Sequence, residues 1–198
     1  RWGFEHITQD RAKKVFERNG YDPTVAWKDD GEYILLCMQK VGDASLRGAD
    51  VFEWTQDTVE QIRKYTDRKI IIRPHPLYRK SSLHNTLKEK ILATADVHWQ
   101  EADVTKSDFV PIAEQLKQAW CTITYSSGTG IDAVINGVPN IACDTGSMVY
   151  EVSSTDIAEI EKPYRGEKGL WSNKIAHCQW SIEEFESGEC WQHVSKSI

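Results

Sequence analysis

The chain has 198 residues, 27% of them charged, and a formal net charge of −6. That length supports one α/β domain with a real core, or two small ones. Acidic and basic residues are interspersed without a block of like charge, which argues against a non-specific nucleic-acid-binding surface. No apolar run approaches bilayer length, and no signal peptide is expected. Cys37, Cys121, Cys143, Cys178 and Cys190 show no paired close spacing, and they read as reduced thiols of a cytoplasmic protein. The first residue is Arg1 rather than Met, so the chain reads as a fragment, a processed form or an incomplete part of a longer one.

Residues 1–30 are polar with scattered aromatics, among them Trp2, Phe4 and Trp27, and Thr8 to Arg18 has helix character ended by Asn19-Gly20. Tyr33 to Met38 is a continuous apolar run, as expected of a strand covered on both faces. A long glycine-bearing loop follows, Val41 to Asp50. Helix spacing runs from Thr55 to Tyr65, and Lys69 to Arg73 forms the next strand, closed by Pro74-His75-Pro76. Ser82 to Leu92 is helical, with Leu83, Leu87, Ile91 and Leu92 on one side. Asp96 to Trp99 is a short, weak strand. A helix capped by Ser107 or Asp108 runs to Ala119, with Ile112 and Leu116 on its apolar face. Strands are expected at 122–126 and 139–143, joined by a helix at 129–136. Residues 146–170 read as irregular. A last helix starts near Ser181, with Glu184 at the capping-box position and an aromatic face of Trp180, Phe185 and Trp191. Regular strand–helix alternation predicts a Rossmann-like, three-layer α/β domain with a mostly parallel sheet. The expected division is an amino-terminal extension over 1–30 and one ligand-binding domain over 31–198.

Three features fall just past strand carboxyl ends, the side on which open parallel sheets bind ligands. The first is the turn Ser126-Ser127-Gly128-Thr129-Gly130, whose small residues let backbone N–H groups approach an anion at a helix start. Asp132 lies about one turn further on, within reach of whatever carries the anion. A phosphate with a polyol behind it, such as a nucleotide ribose, fits both. The same pattern also fits a plain helix cap with a surface acid. The second feature is the Arg73-Pro74-His75-Pro76 corner. Its prolines restrict the backbone and aim an imidazole outward as a phosphate contact or a general base; the alternative is a plain turn histidine. Arg73 is either a further phosphate ligand or a side chain pointing into a helix layer. The third is the 40–50 loop. Lys40, Asp43, Ser45 and Arg47 are read as a lid over phosphates, hinged at Gly42 and Gly48, with Gln39 at the strand end. The alternative is an ordinary surface loop. Asp144, after the strand at 140–143, reads as a cap, with a metal or sugar contact as the alternative. No lysine-bearing phosphate loop and no metal-ligand spacing occurs, so no metal is expected.

The 122–143 block resembles the nucleotide-binding segment of two-lobed, GT-B-type glycosyltransferases and of the related nucleotide-sugar 2-epimerases. Those families carry Ser-x-Gly-x-x-x-Glu-Ala followed by x-x-Gly-x-Pro. Ser126, Gly128, Asp132, Ala133, Gly137 and Pro139 fall at the same relative spacings. The resemblance implies that Ser126, Ser127, Gly128 and Thr129 receive a diphosphate and that Asp132, shorter than the family's Glu, holds ribose hydroxyls. The Arg-Pro-His-Pro corner resembles the His-Pro motif of bacterial capsule-polysaccharide transferases and some sialyltransferases, in which the histidine faces the donor's phosphate near two adjacent serines. The likeness extends over roughly residues 33–195, as the carboxyl-terminal donor-binding lobe.

The function this implies is transfer of a sugar, with inversion, from a UDP- or CMP-linked nucleotide-sugar to a glycan or another hydroxyl acceptor. Polysaccharide biosynthesis is the expected setting. Modified DNA is a less favoured acceptor. The acceptor lobe is expected to be missing from this chain or supplied by a partner or a homo-oligomer, or else the enzyme is an abbreviated one, with residues 1–30 an extension or the remnant of an acceptor lobe. A nucleotide-sugar 2-epimerase and a non-catalytic nucleotide- or phosphate-binding module are the alternatives.

Overall fold

The computed structural model describes residues 9–22, 24–77, 82–94, 96–100, 105 and 107–197. Trp2, Phe4 and Thr8 lie outside these residues, as do the side chains of Leu83 and Leu87. The chain forms two compact units, Ala26–Gly166 and Arg1–Val25 with Glu167–Ile198. The sequence expectation had kept 31–198 together; the last 32 residues instead cluster with the amino-terminal segment.

The 26–166 unit is built on five strands: β1 (Tyr33–Cys37), β2 (Lys69–Arg73), β3 (Val97–Trp99), β4 (Ala119–Thr124) and β5 (Asn140–Ala142). Their order is β3-β2-β1-β4-β5, and every pairing is parallel. Alternation along the central strands divides the core. Ile34, Leu36, Ile70, Ile72, Cys121 and Ile123 pack with Phe52, Val59 and Ile62 on one face. Those three belong to α2 (Val51–Ile62). Tyr33, Leu35 and Cys37 pack on the other face against Leu116 and Ala133. Leu116 lies on α4 (Ile112–Gln118) and Ala133 on α5 (Thr129–Ile135), while α3 (Ser82–Leu92) contributes Ile91 to the first face. The result is the expected Rossmann-like, three-layer arrangement.

Element ends moved for local reasons. Helix α2 begins at Val51 rather than Thr55, because the Asp50 carboxylate accepts from the N–H groups of Phe52 and Glu53. Helix α4 starts only at Ile112, behind Pro111. At Ala119 the chain turns extended, with ψ 129°, and becomes β4. The irregular stretch after β5 is tied to the sheet by side chains. Asn140 Oδ1 accepts from the hydroxyls of Thr122 (2.8 Å) and Thr124 (3.2 Å), and its Nδ2 donates to Ser153 Oγ at 3.1 Å. Ser154 then bridges Ile141 in parallel.

The other unit comprises α1 (Gln9–Arg18), α6 (Gly169–Ala176), α7 (Ile182–Glu186) and α8 (Glu189–Val194). Helix α6 falls partly within the stretch read as irregular. The predicted capping box is present: Ser181 Oγ accepts from Glu184 N, and Glu184 Oε2 accepts from Ser181 N at 2.7 Å. Glu184 is buried. Its carboxylate also meets Arg11 Nη1, Lys14 Nζ and Arg18 Nη1, each at 3.0 Å. The Arg11 guanidinium lies 3.5 Å over the Trp180 ring, whereas Phe185 and Trp191 are exposed. Among the described residues no helix is long and apolar enough to cross a membrane.

Candidate functional site

Strand order reverses between β1 and β4, so the crevice past their carboxyl ends is the topological switch point of the sheet. Gln39 stands two residues beyond β1, His75 two beyond β2 and Ser126 two beyond β4. Since β2 and β4 flank β1, His75 and Ser126 leave strands that are roughly 10 Å apart. The Gln39 amide links the β1 and β4 exits: Nε2 donates to Ser45 Oγ at 2.8 Å and to Ser126 Oγ at 3.4 Å.

The turn after β4 has unused donors. Among the described residues, the backbone N–H groups of Ser126, Ser127 and Gly128 find no acceptor. Ser127 Oγ is committed locally, accepting from Thr129 N at 3.3 Å and bonding Thr129 Oγ1 at 3.2 Å. Its hydroxyl therefore supports the helix start, as the cap reading required. The two glycines serve different ends. A Cβ on Gly130 would lie 2.8 Å from Val149 Cγ2 and 3.3 Å from Thr124 Oγ1, so close packing of α5 requires glycine there. A Cβ on Gly128 would meet nothing within 4 Å, and its φ of −57° suits any residue. The fold gives no reason for glycine at 128; open space for an approaching group does.

Asp132 lies on α5, half-buried, and its carboxylate accepts no hydrogen bond among the described residues. Burial pushes its pKa above the usual carboxylate value. His75 is held by its own turn: Leu77 N donates to His75 Nδ1 at 3.1 Å. Nδ1 is thus the acceptor nitrogen, and in the neutral ring the proton sits on Nε2. Desolvation, followed by the nearby Lys40 charge, lowers the His75 pKa against a partial opposing effect of Asp43. The imidazole is therefore neutral at pH 7 and suited to donate through Nε2.

Arg73 departs from the expectation of a phosphate ligand. It is 8% exposed, and its Nη1 donates to Val110 O at 2.8 Å and to Gln115 Oε1. Strand alternation is the reason. Ile70 and Ile72 face the α2 layer, so Arg73 faces the layer that holds α4. Arg47 is 64% exposed at its side chain and sits 3.4 Å from Asp144 Oδ1. The 40–50 loop around it is anchored rather than free: Leu46 is buried in the core, Asp43 caps a short 3₁₀ turn, and Gly42 and Gly48 occupy left-handed turn positions. Among the described residues no group of three His, Cys, Asp or Glu side chains is placed to hold a metal ion. Cys37, Cys121 and Cys143 are pushed by burial up to about 12 and are poor nucleophiles at neutral pH.

No protein-family model and no curated protein matches the chain. Among solved structures it is similar to two described as Thermosulfurimonas dismutans KpsC. With the beta Kdo 2,4 transferase the identity is 16% over 87% of this chain and 57% of that one, at TM-score 0.45. With the beta Kdo 2,7 transferase it is 16% over 86% and 53%, at TM-score 0.47. It is also similar to a putative UDP-N-acetylglucosamine 2-epimerase from Listeria monocytogenes, at 13% identity over 79% of this chain and 45% of that one, with TM-score 0.45. The chain thus spans about half the length of these structures.

Proposed function

We propose that the crevice between the β1 and β4 exits binds the diphosphate and ribose of a nucleotide-sugar, and that the 26–166 unit is the donor-binding part of an inverting glycosyltransferase. The observation that carries this reading is the row of unpaired N–H groups at Ser126, Ser127 and Gly128. It lies at the switch point of the sheet, beneath a glycine the fold does not need. Such donors are complementary to phosphate oxygens. Asp132 supplies the complementary acceptor: a carboxylate without a partner takes two hydrogen bonds from vicinal ribose hydroxyls, which offset its desolvation. His75 Nε2–H meets the phosphate oxygen that gathers charge as the sugar departs, which is stabilisation of a leaving group rather than base catalysis. Arg47 adds a cation from the loop edge. The acceptor is a hydroxyl of a glycan or a related molecule, in line with polysaccharide synthesis, and the group that deprotonates it belongs to an acceptor lobe or partner.

Titration calorimetry with UDP, CMP and their sugar conjugates tests the reading. A nucleotide diphosphate or nucleotide-sugar should bind, and inorganic pyrophosphate should compete with it. Transfer of a labelled sugar to a glycan acceptor by the full-length protein would establish the activity. Absence of binding by every nucleotide tested, with the protein folded, would reject the reading.

A further inference from the structure

Arginine is an unexpected occupant of position 47. With φ 52° and ψ 34° the residue closes the short 3₁₀ turn in the left-handed region, where a side chain is disfavoured and glycine is not. Its backbone N–H donates to Ala44 O at 3.1 Å, a bond that glycine would make equally well. The turn gives no reason for the side chain; what the side chain reaches does. The guanidinium crosses to the loop after β5, where Nη2 lies 3.4 Å from Asp144 Oδ1. The contact is one of charge without a hydrogen bond, and among the described residues none of the guanidinium N–H groups finds an acceptor. Five donors in a planar fork remain unspent, the geometry that suits phosphoryl oxygens.

The acid that holds this cation is itself fixed. Asp144 N donates to Tyr125 O at 3.1 Å, and Asp144 Oδ1 accepts from Gly146 N at 2.7 Å. Its side chain is 14% exposed against 64% for Arg47, so the carboxylate is the anchor and the guanidinium the held group. Gly146 leaves room for the pair. Its φ lies outside the left-handed region, yet a Cβ there would stand 2.8 Å from Asp144 Oδ1 and 3.2 Å from Arg47 Nη2. A larger residue would push the two apart. In the sheet β4 runs between β1 and β5. A bridge from the β1 loop to the β5 loop therefore lays the guanidinium across the exit of β4, where Ser126, Ser127 and Gly128 present their free N–H groups.

We propose that Asp144 is a positioning residue of the nucleotide site: it holds Arg47 beside the N–H row, so that the guanidinium fork takes phosphoryl oxygens of the bound nucleotide. The inference rests on the nucleotide reading of the same crevice. It reverses a simple electrostatic expectation. Asp144 is an acid next to an anion site, and Coulomb's law alone has its neutralisation strengthen anion binding. As the anchor of Arg47, its neutralisation weakens that binding.

The experiment measures affinity for UDP and for inorganic pyrophosphate by calorimetry, with a thermal melt of every variant. Arg47→Ala should weaken both about tenfold. Asp144→Asn keeps an oxygen for the Gly146 N–H and removes the charge; it should weaken both about 3–5-fold. Gly146→Ala changes no charge and should weaken them to a similar degree by parting the pair. In an Arg47→Ala background Gly146→Ala should have no further effect, and Asp144→Asn should tighten binding, because only the Coulomb repulsion is left. A merely structural role would weaken binding in both backgrounds. If Asp144→Asn melts without cooperativity, Gly146→Ala in the two backgrounds decides alone. Native or tighter affinity of either variant with Arg47 present, or equal weakening in both backgrounds, overturns the positioning role and leaves the nucleotide reading standing. Failure of the native protein to bind pyrophosphate or any nucleotide overturns both.

Discussion

Two polar clusters in this chain have opposite characters. Around Glu184 every charge is answered: Arg11, Lys14, Arg18 and the Ser181 N–H converge on one buried carboxylate. Past the β1 and β4 exits the groups are left open. Among the described residues three N–H donors lack acceptors, a half-buried Asp132 lacks donors, and Gln39 Oε1 is orphaned. A closed cluster contributes to folding and has no unmet valence for a ligand. An open one is unfavourable to the fold and keeps unmet valences for a ligand, the contrast on which the proposed site rests.

The sharpest way to break this comparison is at Glu184. Glu184→Gln leaves the buried Arg11 guanidinium without its main counter-charge and should destabilise its own unit by about 3 kcal/mol. The folded carboxyl is held far below its ordinary 4.5: burial raises it, but hydrogen bonds from Arg11, Ser181, Arg18 and Lys14 outweigh that. Its contribution is therefore complete above pH 4.5 and shrinks as pH falls below that value, so melts of native and variant protein should draw together in acid. Equal stability of the two at pH 7 would show that the cluster is not closed in the sense argued.

The two glycines of the turn make the next contrast. Gly130→Ala forces a Cβ against Val149 and should cost about 1–3 kcal/mol of stability. Gly128→Ala should alter stability by less than about 1 kcal/mol while weakening anion binding, because the new methyl occupies the approach to the N–H groups. Melts and calorimetry on the same pair of variants separate packing from function.

At His75, removal of the imidazole should weaken nucleotide binding by about 1–2 kcal/mol with little change in the melt. Unchanged affinity for every nucleotide that binds the native protein would remove His75 from the site.

Asp132 gives the smallest expected effect and the most specific one. Its folded pKa is raised, so ionising it at neutral pH opposes folding, and that penalty disappears as pH falls and the carboxyl is protonated in both states. Asp132→Asn should thus stabilise the protein at pH 7 by about 0.5 kcal/mol, with the gain fading in acid. The same change should weaken a ribonucleotide more than its 2′-deoxy counterpart. Additive losses would return Asp132 to the role of a helix-surface acid.

Most of the fold was legible because β1, β2 and β4 contain apolar runs and the crossovers carry helical faces, while β3, Val97-His98-Trp99, gave the weakest signal. The open cluster was legible in part, since Ser126, Gly128, Asp132 and His75 follow strand ends in sequence. Of the two sequence readings of Arg73, the helix-layer one holds: Ile70 and Ile72 alternate with it, so period-two logic sets it on the opposite face. The early start of α2 was likewise signalled by Asp50 with Glu53 three residues later. What sequence did not disclose was non-local. Arg11 meets Glu184 across 173 positions, and Gln39 meets Ser126 across 87, distances over which no periodicity speaks.

The Asn140 node has a consequence for how this chain can vary. Its Oδ1 takes both threonine hydroxyls of β4 while its Nδ2 holds Ser153, so each end of the amide is engaged. The intervening residues look like a surface loop, the usual place for homologous chains to gain or lose length. Here the spacing between 140 and 153 is part of the bond geometry. An inserted or deleted residue in that interval would have to be absorbed entirely within its outer bend, or the node would open and Ser154 would lose its register with Ile141.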